Sequence, residues 1–206
     1  MLINNESDME QDEYFSVHTG LTINVEPLAS DECLPDEQAF IQEIPPLFRV
    51  ASECSGLEES AERTLKGFGK EDNKALLTYL AAQNSKINLL LSFVLSQQDN
   101  PDFRYITDSF GASQLTFVSN SPFTVGTSVR VKLFLEHPPA AIYCYANVAA
   151  CGTKVHEDDS DEKQTQYPIT LRYNRLQEDD RDLLIRAALY IQQKLLRVRA
   201  QQRTES

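Results

Sequence analysis

The 206-residue chain has no tryptophan, seven glycines and three histidines. No apolar run reaches the length of a membrane span, and no basic-then-apolar stretch at the N-terminus reads as a signal peptide. These absences predict a cytoplasmic protein without membrane insertion. The four cysteines, Cys33, Cys54, Cys144 and Cys151, form no CxxC pair. That is neither zinc spacing nor a disulfide framework for a chain of this size, so reduced thiols are expected. Bases are outnumbered: 19 Lys and Arg against 31 Asp and Glu give a formal net charge of −12. The excess acid, including Glu10, Asp12, Glu13, Asp31, Glu32, Glu58 and Glu59, sits early in the chain. A chain without a basic stripe is a poor candidate for nucleic acid. Catalytic signatures are missing too: there is no GxSxG, Walker loop, GxGxxG or HExxH. The run Asp158-Asp159-Ser160-Asp161 lacks the glycine and distal glutamate of an EF-hand. The expectation is a non-enzyme with no catalytic residue, no metal site and no resident cofactor.

What the sequence does contain is a long heptad rhythm between Asn73 and Gln98. Leu76, Leu80, Gln83, Ile87, Leu90, Val94 and Gln97 follow the 4-3 spacing of a coiled-coil seam. A second stripe, Leu77, Ala81, Asn84, Asn88, Leu91 and Leu95, runs beside it. As a helix the segment is roughly 39 Å long, more than a small domain needs internally. Two adjacent stripes suit a bundle of several helices, and amides on a seam set register and oligomer state. Self-association through this face is therefore expected. The plainer alternative is a core helix packed on its own sheet.

The remaining chain divides around that helix. Residues 1–12 are acidic and aperiodic and read as a disordered tail; residues 13–206 read as one domain. Within it, residues 13–28 hold a first strand, because Phe15, Val17, Thr19, Leu21, Ile23 and Val25 alternate with polar residues. Residues 36–99 form a helical insertion. It comprises a short helix near Gln38–Gln42, an amphipathic helix on Leu47, Val50, Ala51, Cys54, Leu57, Ala61 and Leu65, and the oligomerisation helix 73–98, the last two as an antiparallel hairpin. Residues 103–176 carry short strands and turns that predict a small antiparallel barrel or sandwich. Within them, 155–166 reads as a charged loop. Residues 177–203 form a terminal helix, acidic at its start and basic at its end, in keeping with the helix dipole. The fold class is α+β.

Two stretches resemble a known family. Ile106-Thr-Asp-Ser-Phe-Gly-Ala-Ser-Gln-Leu-Thr-Phe117, followed by Phe123-Thr-Val-Gly-Thr-Ser-Val129, is similar to the centre of a PilZ domain. The segment Tyr167–Ile185 resembles its closing strand and C-terminal helix, and the heptad helix resembles the atypical, tetramer-forming branch. The resemblance implies a six-stranded β-barrel with helical additions and a role in bacterial cyclic di-GMP signalling, with pilus or flagellar machinery as partners. It also implies a nucleotide site built from RxxxR and [D/N]xSxxG segments, in which paired guanidiniums clamp phosphates and guanine edges. Here Asp108 matches the first turn position, Phe110 stands in place of the serine and Ser113 in place of the glycine. No RxxxR precedes the barrel, and Arg49, Arg63 and Arg104 stand alone. The site reads as degenerate, with Arg104, Asp108 and Ser113 as its candidates. Cyclic di-GMP stays open as a ligand through a non-standard site, while the plain alternative for Asp108 is a turn cap.

Overall fold

The computed structural model describes residues 16–29, 31–65, 74–156 and 164–204. The acidic tail 1–12, the connection between the two longer inserted helices and the middle of the charged loop lie outside them. The elements are β1 (Thr22–Pro27), α1 (Glu37–Glu43), α2 (Pro46–Leu65), α3 (Lys74–Ser96), β2 (Arg104–Phe110), β3 (Gln114–Ser119), β4 (Ser128–Glu136), β5 (Pro139–Cys151), β6 (Lys154–His156), β7 (Gln164–Arg175) and α4 (Glu178–Thr204).

The strands run β3-β2-β1-β4-β5-β7, and β3 pairs again with β7, so six antiparallel strands close into a barrel. The short β6 extends β7 as a hairpin outside that ring. Alternation determines which side chains enter. In β4, Val129, Val131, Leu133 and Leu135 are buried while Arg130, Lys132 and Phe134 point the other way. Phe110, Leu115, Phe117, Ile142, Cys144, Ile169 and Leu171 fill the same interior, and Leu183, Leu184, Ala187 and Ala188 of α4 complete it.

β5 is buried on both faces, which explains its nearly unbroken apolar sequence. Its outward side chains Ala141, Tyr143 and Tyr145 form a second core with Phe40 and Ile44 of the α1 region, Phe48 and Ala51 of α2, and Leu95 of α3. Local chemistry places the helices: Asp36 caps α1 by accepting from the Ala39 amide at 2.8 Å. Pro46 opens α2, where its missing N–H costs nothing.

The first strand begins later than its alternation predicts. Val17 pairs with Phe110 as an isolated bridge, and continuous pairing starts at Thr22. The reason is Thr107, whose hydroxyl accepts from the Leu21 amide at 2.9 Å and donates to the Thr19 carbonyl at 2.8 Å. A side chain thus takes the Leu21 amide and the Thr19 carbonyl out of the ladder, while the Leu21 carbonyl still accepts from the Thr107 amide at 3.0 Å. The charged loop is also more ordered at its edges than its composition predicts, since β6 and the start of β7 pair there.

α3 resolves the question of the two stripes. Leu95 is 3% exposed and Leu91 half-buried, so the second stripe turns inward at its C-terminal end. The first stripe faces outward: Leu76 is 55%, Ile87 53% and Leu90 67% exposed, with Leu80 and Val94 also exposed. The core-helix alternative accounts for only one side of this helix.

Candidate functional site

The turn joining β2 to β3 is the place where the resemblance puts a ligand, and its geometry begins with a bulge. Register shifts between Thr107 and Ser109, leaving Asp108 as the extra residue on β2. Asp108 is exposed and its side chain makes no hydrogen bond among the described residues. It therefore does not cap the turn. Beside it the Ser109 and Thr116 hydroxyls meet at 2.8 Å across the strands.

The turn itself is held from three directions. The Gly111 amide donates to the Gln114 carbonyl at 2.9 Å, closing the loop. The Ser113 carbonyl accepts from the Tyr173 amide of β7 at 2.9 Å. Arg181, in the first turn of α4, donates Nη1 to the Ala112 carbonyl at 2.7 Å. Phe110, which occupies the serine position of the resembled motif, is wholly buried in the barrel. Its backbone exchanges two hydrogen bonds with Val17. Its side chain packs in the barrel core.

Arg104 stands at the other end of β2. Its Nε lies 2.7 Å from Asp99 Oδ2. Asp99 Oδ1 in turn accepts from Asn24 Nδ2 at 2.7 Å, and Asn24 Oδ1 accepts from the Asn100 amide at 2.8 Å. This polar clasp joins the end of α3 to β1 and β2. Arg104 and Asp108 are four residue steps apart along the strand, about 13 Å at the usual rise. The structure thus brings Ser113 into the turn and leaves Arg104 committed to Asp99. The three candidates do not converge as an arginine clamp with a small-residue turn.

Two further polar groupings escape sequence reasoning because their members are far apart in the chain. Arg130 bonds Glu32 and lies 3.4 Å from Glu26, with its guanidinium 5.7 Å from the Tyr145 ring centroid. Tyr145 donates its hydroxyl to Glu43 at 2.5 Å, and Tyr143 reaches the same carboxylate at 3.3 Å. Burial, then the bond to Glu43, raises the Tyr145 phenol above its ordinary range. The arrangement ties the linker after β1 and helix α1 to the outer face of β5. The other grouping is the buried Asp180 of α4, which accepts from the Ser52 hydroxyl of α2 at 3.0 Å. Burial pushes its carboxyl up to about 6; the Ser52 bond opposes this and neighbouring Asp179 adds to it. An open cavity of about 480 Å³ beside it is lined by Arg49, Glu53, Asp182 and Arg186. Mixed charge there offers no single ligand chemistry.

Among the described residues no three His, Cys, Asp or Glu side chains gather as a metal site, and no helix is long and apolar enough to cross a membrane.

No protein-family model matches the chain, and no curated protein matches it. Solved structures do. A protein from Xanthomonas campestris, described as a tetrameric PilZ domain self-assembled via an unusual helical bundle, aligns at 15% identity and a TM-score of 0.48, covering 88% of this chain and 90% of that one. The inhibitor of motility MotI/DgrA from Bacillus subtilis aligns at 12% identity and a TM-score of 0.41 over 87% of this chain; the match spans 50% of that protein. The PilZ domain of YcgR from Escherichia coli, solved with cyclic di-GMP, aligns at 11% identity and 0.39 over 50% of this chain and 82% of that one. This chain is similar to PilZ domains of known structure.

Proposed function

We propose that this chain is a non-enzymatic, PilZ-like protein of bacterial cyclic di-GMP signalling that self-associates through α3, with a tetramer favoured, and acts through protein contacts. The observation that carries the reading is the outward stripe of α3. Leu76, Leu80, Ile87, Leu90 and Val94 are exposed, and Tyr79, Leu89 and Phe93 widen the apolar face on one side. Apolar area of this extent on a regular helix favours burial against a like surface, at roughly 25 cal/mol per Å² removed from water. Gln83 and Gln97 lie on the same seam, where amides select register. The width of the face favours a multi-helix bundle over a simple pair. The sequence resemblance supplies the signalling context and names pilus or flagellar machinery as the class of partner. Light scattering across low to high micromolar concentration tests the assembly. An oligomer, with four chains favoured, is expected, and the mass of a single chain at high micromolar concentration overturns the reading.

One observation favours a second reading, a cyclic di-GMP receptor with a non-standard site: Asp108 is exposed at its bulge and uncommitted among the described residues. Titration calorimetry with cyclic di-GMP separates the two. The first reading expects no saturable heat at low micromolar protein, because each charge-assisted bond the degenerate motif lacks is worth about 1.5–3 kcal/mol. A saturable signal abolished by Asp108→Ala or Arg104→Ala establishes the second.

A further inference from the structure

The start of α4 holds two separate elements at once. Asp180, 4% exposed, accepts from the Ser52 hydroxyl of α2 at 3.0 Å, a partner 128 positions earlier in the chain. The next residue, Arg181, donates Nη1 to the Ala112 carbonyl of the β2–β3 turn at 2.7 Å. Consecutive side chains on a helix diverge by about 100°, so a single turn can send one arm to each neighbour. Across the first arm, α2 and α4 face one another over the open cavity. Arg49, Ser52 and Gly56 line one side of it, and Gln177, Asp179 and Asp182 the other. A side chain added at Gly56 would meet nothing within 4 Å, so packing does not fill the gap there. The Ser52 hydroxyl crosses it.

The backbone that carries both arms is the least secured part of α4. The leading N–H groups of a helix have no intrahelical partner, and helix ends fray at low cost. Here the Arg181 amide is bonded to the Gln177 carbonyl at 3.0 Å, and Leu183 and Leu184 hold the helix in the barrel core from there on. Residues 178–181 therefore lie between a free end and a fixed one. What they hold matters beyond α4. Ser52 follows Ala51, which is wholly buried in the core that also contains Leu95 of α3.

We propose that the first turn of α4 is a two-armed coupler between the β2–β3 turn and α2. Residues 178–181 are either ordered with both arms attached or frayed with both released. Loss of one arm favours the frayed state and so loosens the other neighbour. The coupling is reciprocal, as linkage requires. A contact made at the β2–β3 turn is then felt at the core that anchors α3, and packing at that core is felt at the turn. This consequence for assembly rests on the reading of α3 given above; the coupler itself is a property of the single chain.

Hydrogen exchange read by mass spectrometry on the full chain tests the coupler through effects at a distance. Arg181→Met removes the arm to Ala112 and leaves Ser52 and Asp180 in place. Exchange is expected to rise about threefold or more in 110–116 and also in 46–55, while 129–135 of β4 stays unchanged as the folding control. Ser52→Ala removes the other arm and is expected to raise exchange in the same two segments. The double variant should add little to either single one, because one fraying event already releases both arms. Glu178→Pro works in the opposite direction: Glu178 is exposed, and proline at the first helical position presets the backbone. It is expected to slow exchange in both segments, a gain that misfolding does not imitate. Effects confined to 110–116 for Arg181→Met and to 46–55 for Ser52→Ala overturn the proposal. So does a Glu178→Pro chain in which neither segment slows. Distant effects that vanish on dilution to single chains also overturn it, because a neighbouring copy then carries them. Light scattering on the same samples judges assembly separately: single chains throughout remove the α3 reading, and distant effects that persist in them uphold the coupler.

Discussion

Asn24 and Asp99 lie 75 positions apart in sequence and meet at 2.7 Å, donor to carboxylate, where β1 passes beneath the end of α3. Asn24 is buried, so this contact replaces water that the amide has lost. Asp99 also binds Arg104 of β2, which makes one carboxylate the joint between the helix that projects and the barrel that carries it.

Replacing Asp99 with Ala removes both partners at once. Asn24 keeps its contact to the Asn100 carbonyl at 3.1 Å, which limits the damage. The expected loss is about 1–2 kcal/mol, read as a lower urea midpoint with an unchanged slope. Faster hydrogen exchange at the C-terminal end of α3 should accompany it. A variant as stable as wild type removes the clasp from the account of how α3 is held.

The outward seam of α3 gives a sharper contrast. Replacing Ile87 and Leu90 together by Asp places charges where the proposed assembly is desolvated and where the single chain is exposed. If the seam is an interface, burial of each unpaired charge costs several kcal/mol and the assembly dissociates. Light scattering should then report a smaller species whose β-sheet circular dichroism is retained. An unfolded or aggregated variant points to the face being internal to one chain's core.

Asp180 gives the chain a pH dependence of definite sign. Its folded carboxyl is raised to about 6 from the ordinary carboxyl value of 3.8, so between those values the folded state holds a proton that the unfolded state has released. Stability from this group is greatest below the unfolded value, falls as pH rises through the window, and is lowest above pH 6. Asp180→Asn keeps an acceptor for Ser52 and removes the buried charge. Relative to wild type it should be more stable by about 1–3 kcal/mol at pH 7.5, with the difference vanishing near pH 4. Urea midpoints of both proteins across that range measure it. A constant difference means that the carboxyl does not titrate in the window.

Much of the architecture was legible because burial and pairing leave local periodicities. β4 reads as a strand from its alternation, and α3 reads as a helix from its heptads. The closed six-stranded barrel and the α+β class are as the resemblance implied. What periodicity does not reveal is the identity of the surface a stripe meets: Leu91 and Leu95 turn inward and Leu90 and Val94 outward, yet all four obey the same rhythm. Nor does it reveal side chains that interrupt a ladder, as Thr107 does before β1. The candidate site was legible only as a set of motif positions. Phe110 proved to be core, and Arg104 is engaged by Asp99, a partner in the turn that follows α3. Arg181 carries no mark of its role, since nothing near it in sequence signals that it reaches back to Ala112.

The pairing of β3 with β7 has a further consequence for what this molecule can recognise. A sheet with free edges offers unpaired backbone N–H and C=O groups, and an extended peptide can join it by strand addition. Around the closed ring each strand has a neighbour on both sides, which takes up most of those groups; residues 25–27 of β1 pair with β4 alone and residues 139–144 of β5 pair with β4 alone. Among the described residues a further edge is β6, a strand of three residues. Strand addition is therefore limited to short stretches of backbone, while the exposed side chains of α3 carry an apolar pattern of their own.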